Sequence, residues 1–152
     1  MGSITTAATL KWKRGLLTSS HNHDVGGDLF KLGLFKITSE LAGNYDKFTE
    51  KYQDITDNFD ENDGTGYTAG GIALTNVAPM VFPDGVVSSW SNNLIWADST
   101  ISSDGAFIYN DSHADDEIVL ISHFPFTLSS LNGVFELQFP PFTAPLAILR
   151  LA

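Results

Sequence analysis

The sequence predicts a mainly β chain: a single antiparallel β-sandwich of jelly-roll type with one short helix in its N-terminal third. Three observations predict it. Short apolar segments, several alternating with a two-residue period, recur from residue 72 to the end. Turn-forming pairs separate them. And the 152 residues are 43% hydrophobic but only 17% charged, which is enough apolar matter for one packed core. The chain divides into an N-terminal arm, residues 1–27, with a short strand as one option, and a β-sandwich domain, residues 28–152.

Residues 5–17 are ambiguous. Ala8, Leu10 and Trp12 alternate with Thr9, Lys11 and Lys13, which favours a short strand over a helix. Gly15 reads as a break, and residues 18–24 as a polar loop. Residues 29–37 form the first clear strand, with Phe30, Leu32 and Leu34 on one face and Leu29, Phe35 and Ile37 on the other. Tyr45, Phe48, Tyr52 and Ile55 are spaced 3, 4 and 3 apart, which lines one side of a helix.

After an acidic stretch, 54–63, and a glycine-rich one, 64–71, strands are expected at 72–77, 80–82, 86–90, 93–97, 106–110, 117–124, 134–139 and 146–151. Pro83-Asp84-Gly85 suits a tight turn, and Asp104-Gly105 and Asn132-Gly133 suit short reversals that need positive φ. The run Ile118-Val119-Leu120-Ile121 is the best candidate for a central strand buried on both faces.

Charge is unevenly placed along the chain. Seven of the eight basic residues lie within residues 1–51, whereas thirteen carboxylates beyond residue 52 face only Arg150; the net charge is −10. Such an acidic body repels phosphate backbones, so nucleic acid is not an expected partner. No apolar run approaches the roughly 20 residues of a membrane-spanning helix, and no leader pattern opens the chain, so no membrane partner is expected. The absence of cysteine excludes thiol catalysis and thiolate metal sites.

The remaining chemistry-bearing groups fall short of complete motifs. The loop 64–71 lacks the Lys-Ser/Thr pair of a phosphate-binding loop and is followed by strands, so it reads as a structural turn. Asn58, Asp60 and Asn62 come nearest to a calcium loop, but Asp63 holds the glycine position and Ala69 that of the closing Glu. His21, His23 and Asp24 offer two imidazoles and a carboxylate to a metal, without a further ligand. Asp115-Asp116-Glu117 reads as a charged turn. Trp90 and Trp96, flanking Ser91-Asn92-Asn93, are weighed as a glycan platform against the commoner role of packing. No metal, no cofactor and no catalytic residues are therefore expected.

Two groups of segments resemble small virion structural proteins of tailed bacteriophages. One is Asp28-Leu29-Phe30-Lys31-Leu32-Gly33-Leu34-Phe35 followed by Gly64-Thr65-Gly66-Tyr67-Thr68-Ala69-Gly70-Gly71-Ile72-Ala73-Leu74-Thr75. The other comprises residues 96–101, 105–110 and 132–140, closed by Ala147-Ile148-Leu149-Arg150-Leu151. The resemblance spans roughly residues 28 to 151 and implies a non-enzymatic capsid decoration or cement protein. Its implied partner is the major capsid protein, its state a homo-oligomer with a trimer as one option, and its place the capsid surface of a virion made in the host cytoplasm. Tail or neck components, and a glycan-binding sandwich, are the alternatives. The chain departs from the pattern at Ser122-His123-Phe124-Pro125-Phe126, where glycines and charges are usual. The expected partner-binding residues are Lys11, Trp12, Lys13 and Arg14, as a basic stretch with an aromatic anchor, together with Phe124 and Phe126.

Overall fold

The computed structural model describes residues 1–91, 93–142 and 147–151. Strand accounts for 46% and helix for 10%, so the chain is mainly β, as expected. In chain order the elements are β1 (Ser3–Ile4), β2 (Ala7–Ala8), α1 (Leu10–Leu17), β3 (Phe30–Leu34), a 3₁₀ turn (Thr38–Glu40), β4 (Asn44–Tyr45) and α2 (Gln53–Thr56). There follow β5 (Ile72–Ala73), β6 (Asn76–Phe82), β7 (Gly85–Trp90), β8 (Leu94–Ser99), β9 (Ser102–Asn110), β10 (Glu117–Ser129), β11 (Gly133–Leu137) and β12 (Leu149–Leu151).

A five-stranded antiparallel sheet, ordered β2-β10-β9-β3-β5, forms the centre. Opposite it lie two smaller antiparallel sheets, β11-β8 and β12-β7-β6, so one side of the sandwich is split in two. Between these layers pack Phe30, Leu32, Leu34, Ile108 and Val119 from the large sheet and Trp90, Leu94, Trp96, Phe135 and Leu149 from the small ones. The large sheet is covered on its other face as well. There Phe35, Phe107, Tyr109, Ile118 and Ile121 meet Ile4, Leu41, Tyr45 and Ile55, with β1 paired parallel to β4 beside them. Burial on both faces explains why β3 and β10 read as near-continuous apolar runs.

Local sequence explains the main features. Phe30, Leu32 and Leu34 share one core and Phe35 the other, as alternation requires. Ile118 and Ile121 reach one core while Val119 reaches the other, because a register shift between Ile118 and Leu120 resets the alternation. The most central strand is β9 rather than β10, which is flanked on its outer side only by the two-residue β2. Gly33 faces Phe107 across the pair, and a Cβ there would lie 2.3 Å from that ring, so glycine is needed for the two strands to pack. Pro83 and Asp84 form the two-residue turn between β6 and β7, and Asn132 takes positive φ before β11, both as expected.

Several expectations are corrected. Residues 1–27 are not an arm: β2 pairs with β10, β1 with β4, and Trp12 is buried in the main core at 3% exposure. Residues 10–17 are helical rather than extended because Thr9 caps the helix, its hydroxyl accepting from the Trp12 N–H. Its backbone N–H meanwhile donates to the Val119 carbonyl, which fixes the helix start on β10. The helix expected through Tyr45, Phe48, Tyr52 and Ile55 shrinks to the four residues of α2. Lys51 bridges to Glu117 and the Ile118 N–H donates to the Glu50 carbonyl, so the preceding backbone is taken into sheet pairing and Phe48 points outward. Asp104-Gly105 is no reversal but lies within β9. Of the last expected strand, residues 149–151 form β12, while residue 146 lies outside the described residues. Among the described residues no helix is long and apolar enough to cross a membrane.

Candidate functional site

The basic stretch of α1 is split by the helix itself. Trp12 and Gly15 turn inward, and Lys11 pairs with Asp115 at 3.3 Å and Glu50 at 3.8 Å. Leu10, Lys13, Arg14 and Leu17, spaced 3, 4 and 7 along the helix, form the outer face. Trp12 is therefore withdrawn as a partner anchor: a ring sealed in its own core has no surface to offer. Lys13 and Arg14 remain exposed and make no ion pair among the described residues.

Phe124 and Phe126 sit where β10 leaves its register with β9. His123 pairs with Gly105 and Leu128 with Ser103, so residues 124–127 bulge out opposite the single residue Asp104. Phe124 packs partly against the main core, whereas Phe126 is 68% exposed. Asp104 fixes the bulge. Its carboxylate accepts from the Thr127 hydroxyl on one oxygen and from the Thr38 N–H and hydroxyl on the other, at 2.7 and 2.8 Å. Burial alone raises the Asp104 pKa, but these hydrogen bonds and nearby His123 outweigh it and hold the carboxyl below its ordinary value. Phe126 is thus an apolar side chain presented on a tethered backbone. A cavity of about 330 Å³ opens beside Phe124, lined by Leu32, Ile108, Leu120, Leu137 and Phe139 among others.

The tryptophan platform does not exist. Trp90 and Trp96 are 3% and 4% exposed, and all three tryptophans belong to one core. The acidic stretch serves as a set of internal acceptors. Buried Asp60 accepts from the Ala42 and Gly43 N–H groups at 2.8 and 2.7 Å and from the Tyr45 hydroxyl. Glu61 accepts from Tyr67, the Gly70 N–H and Tyr52. Burial, with the hydrogen bond to Asp60, raises the Tyr45 pKa, and burial with Glu61 does the same for Tyr52 and Tyr67. Gly66, Gly70 and Gly71 take positive φ in the following turn, which closes against β3. Among the described residues no group of three or more His, Asp or Glu side chains is arranged to hold a metal ion.

Three of the four histidines, His21, His23 and His113, form a largely buried polar cluster that sequence alone does not reveal. His21 Nε2 lies 2.9 Å from Glu117 Oε1, and its Nδ1 lies 3.0 Å from the Asn110 amide nitrogen. Because Asn110 Nδ2 also donates to Asp28 and its Oδ1 accepts from the Ser112 N–H, the amide is fixed and His21 Nδ1 is the acceptor. His113 stacks on His21 at 5.5 Å, its Nε2 3.8 Å from the other Glu117 oxygen. His23 accepts from the Trp12 indole N–H at 3.0 Å through Nε2, which leaves the ring proton on Nδ1, facing Ser88 Oγ at 3.4 Å. Burial, then the neighbouring His21, lower the His23 pKa from 6.5 to about 4 against a smaller upward pull from Asp28. A serine and a histidine meet here, but the histidine offers that serine a proton rather than a lone pair, so Ser88 has no base.

A second feature missed by sequence reading is an apolar strip on the β12-β7-β6 sheet. By register Val81, Val86 and Leu151 lie side by side, on the same face as Ser88, Leu149 and Trp90. The inner part of that face is buried, but Val81 is 81% and Leu151 48% exposed. Where it becomes exposed it lines a cavity of about 300 Å³ together with Trp12, Leu16 and His23. A strand over 86–90 is legible in the sequence; that Val81, Val86 and Leu151 remain exposed on it and its neighbours is not.

No protein-family model, no curated protein and no solved structure matches this chain.

Proposed function

We propose that the chain is a non-enzymatic virion structural protein of the capsid decoration or cement kind, which binds a major capsid protein lattice as a homo-oligomer. The observation that carries the reading is the display of large apolar side chains on paired or tethered backbone: Phe126 on its bulge, and Val81 and Val86 on the β6-β7 hairpin beside Leu151 of β12. Side chains held this way lose little further freedom when covered, which favours a binding surface over a mobile catalytic loop. The outer face of α1 adds Lys13 and Arg14 to a chain of net charge −10, a contact for an acidic neighbour. The phage-like order of segments in the sequence supports the same reading.

Cryo-electron microscopy of purified particles of the phage that encodes the chain tests it. The expected result is sandwich-shaped density seated at junctions of the capsid lattice, with lower occupancy for Phe126→Ser. Absence of the protein from the particles would overturn the proposal, and density on the tail would move it to the tail or neck alternative.

A further inference from the structure

The buried His23 lies at the joint between α1 and the sandwich. It sits in the loop leading from α1 to β3, stacks on Phe30 at 4.5 Å, and touches the edge of Trp12 and the ring of Trp90. Its two nitrogens are both used, one by the Trp12 indole and one by Ser88 on β7. It thereby forms part of the wall of a cavity open to the surface, with Trp12 and Leu16 beside it and Val86 and Leu149 at the floor. We propose that His23 is an acid-released latch: neutral, it holds Trp12 in place and covers the inner part of this cavity's floor; protonated, its ring gives up the indole, turns out to water and uncovers that part.

The geometry makes the neutral form obligatory. The indole N–H is a donor only, so an imidazolium at His23 would set donor against donor at 3.0 Å inside an apolar surround. No carboxylate among the described residues accepts a hydrogen bond from His23 to offset the new charge. The charged groups on every neighbouring element are otherwise engaged or turned away. On α1, Lys11 is paired with Glu50 and Asp115, and Lys13 and Arg14 face outward. On β3, Lys31 pairs with Asp111, and on β12, Arg150 lies near Asp84. In the loop itself, Asp28 accepts from Asn22 and Asn110, Asp24 accepts from the Val25 N–H, and His21 is turned to Glu117 on β10. His113 faces the same Glu117. The lowered pKa of His23 follows from the same surroundings. An imidazole that leaves for water regains its ordinary value of about 6.5, so acidification favours the open form.

The exposed strip of Val81, Val86 and Leu151 continues directly from the cavity floor. Opening the latch therefore lengthens an apolar surface that is already partly displayed.

The test is an acid titration of the full chain from pH 7.5 to 3.5, following tryptophan fluorescence, binding of an apolar dye, and far-ultraviolet circular dichroism. The expected result is a fluorescence change with a midpoint between about 4 and 6.5, a several-fold rise in dye binding, and a sheet signal that persists. In His23→Gln, whose amide oxygen accepts from the indole but does not titrate, both changes should vanish. A flat wild-type titration, an unchanged transition in His23→Gln, or a transition that takes the sheet signal with it would each overturn the latch. Should the variant not fold, nitrogen-15 spectra of the wild-type ring decide. A His23 that titrates in step with the tryptophan signal supports the proposal, and one that titrates apart from it refutes it.

Discussion

Replacing Trp12 by alanine is the sharpest test of how the N-terminal segment belongs to the fold. Only 3% of this residue is exposed. A tryptophan buries about 150–250 Å², which at about 25 cal/mol per Å² corresponds to roughly 4–6 kcal/mol. Measured large-to-small changes of this kind cost about 3–5 kcal/mol. The substitution also removes the donor to His23 Nε2, and a buried acceptor left without a partner costs about a further 1–3 kcal/mol. Water entering from the adjoining cavity offsets part of that second cost. The sum is about 4–6 kcal/mol, a large share of the 5–15 kcal/mol that is typical for a domain. Urea unfolding followed by far-ultraviolet circular dichroism measures it without relying on the tryptophan being removed. Deletion of residues 1–17 should leave no cooperative transition at all, since it takes β1, β2 and Trp12 together. A loss below about 1 kcal/mol for Trp12→Ala, the size of an ordinary single substitution, would mean that the segment is an arm after all and that the packing described above is wrong.

Other perturbations follow from single sites. Gly71→Ala should cost at least about 1–3 kcal/mol in the same assay, because φ is +72° and a Cβ would sit 1.9 Å from the Leu32 carbonyl oxygen. Asp60→Asn sets an amide group against the Ala42 and Gly43 N–H donors and the Tyr45 hydroxyl, and should lower the unfolding free energy by about 2–3 kcal/mol. Stability should also depend on pH through His23. Its folded pKa, about 4, lies below the unfolded 6.5, so the unfolded chain takes the proton first. Its contribution is whole above pH 6.5 and is lost as pH falls to about 4, amounting to about 3 kcal/mol at 1.36 kcal/mol per unit. Denaturant titrations at pH 7, 5.5 and 4 measure it, and a smaller decline is expected in His23→Gln.

The strands from residue 72 onward were legible because their signal is local: alternation within a segment and a turn residue after it. Pro83-Asp84 and Asn132 turn the chain where the sequence places them. The N-terminal segment was misread because Ala8, Leu10 and Trp12 fit a period of two, while Trp12 and Leu16, four apart, fit the helix that forms. Thr9 ahead of the apolar residues was the available signal for a helix cap. The helix through Tyr45 and Ile55 failed for a different reason. Its spacing was sound, but the backbone at Glu50 and Lys51 pairs with a strand more than sixty positions away, which no local pattern encodes. The histidine cluster was hidden by the same distance, since His21 meets its carboxylate 96 positions along the chain. Phe124 and Phe126 stand out in the sequence as a breach of the pattern; the structure adds that Phe126 is exposed while Phe124 is partly packed against the core.

The three displayed surfaces differ in physics, which allows the contact with a partner to be assigned without a structure of the complex. The face of Lys13 and Arg14 works through charge, so binding there should weaken steeply with salt and the effect of Lys13→Glu should fall mainly on the association rate. Phe126 is apolar and is tethered by Asp104, so binding through the bulge should be insensitive to salt and should be lost in Phe126→Ser. The strip of Val81, Val86 and Leu151 is apolar too, but it runs into the cavity that His23 lines. Binding there should strengthen across the pH range in which the latch opens, because a partner that covers the floor favours the open form. One affinity series over salt and pH, with Phe126→Ser and Val81→Ser as controls, separates the three. Tight binding that depends on neither salt nor pH and survives Phe126→Ser would exclude all of them.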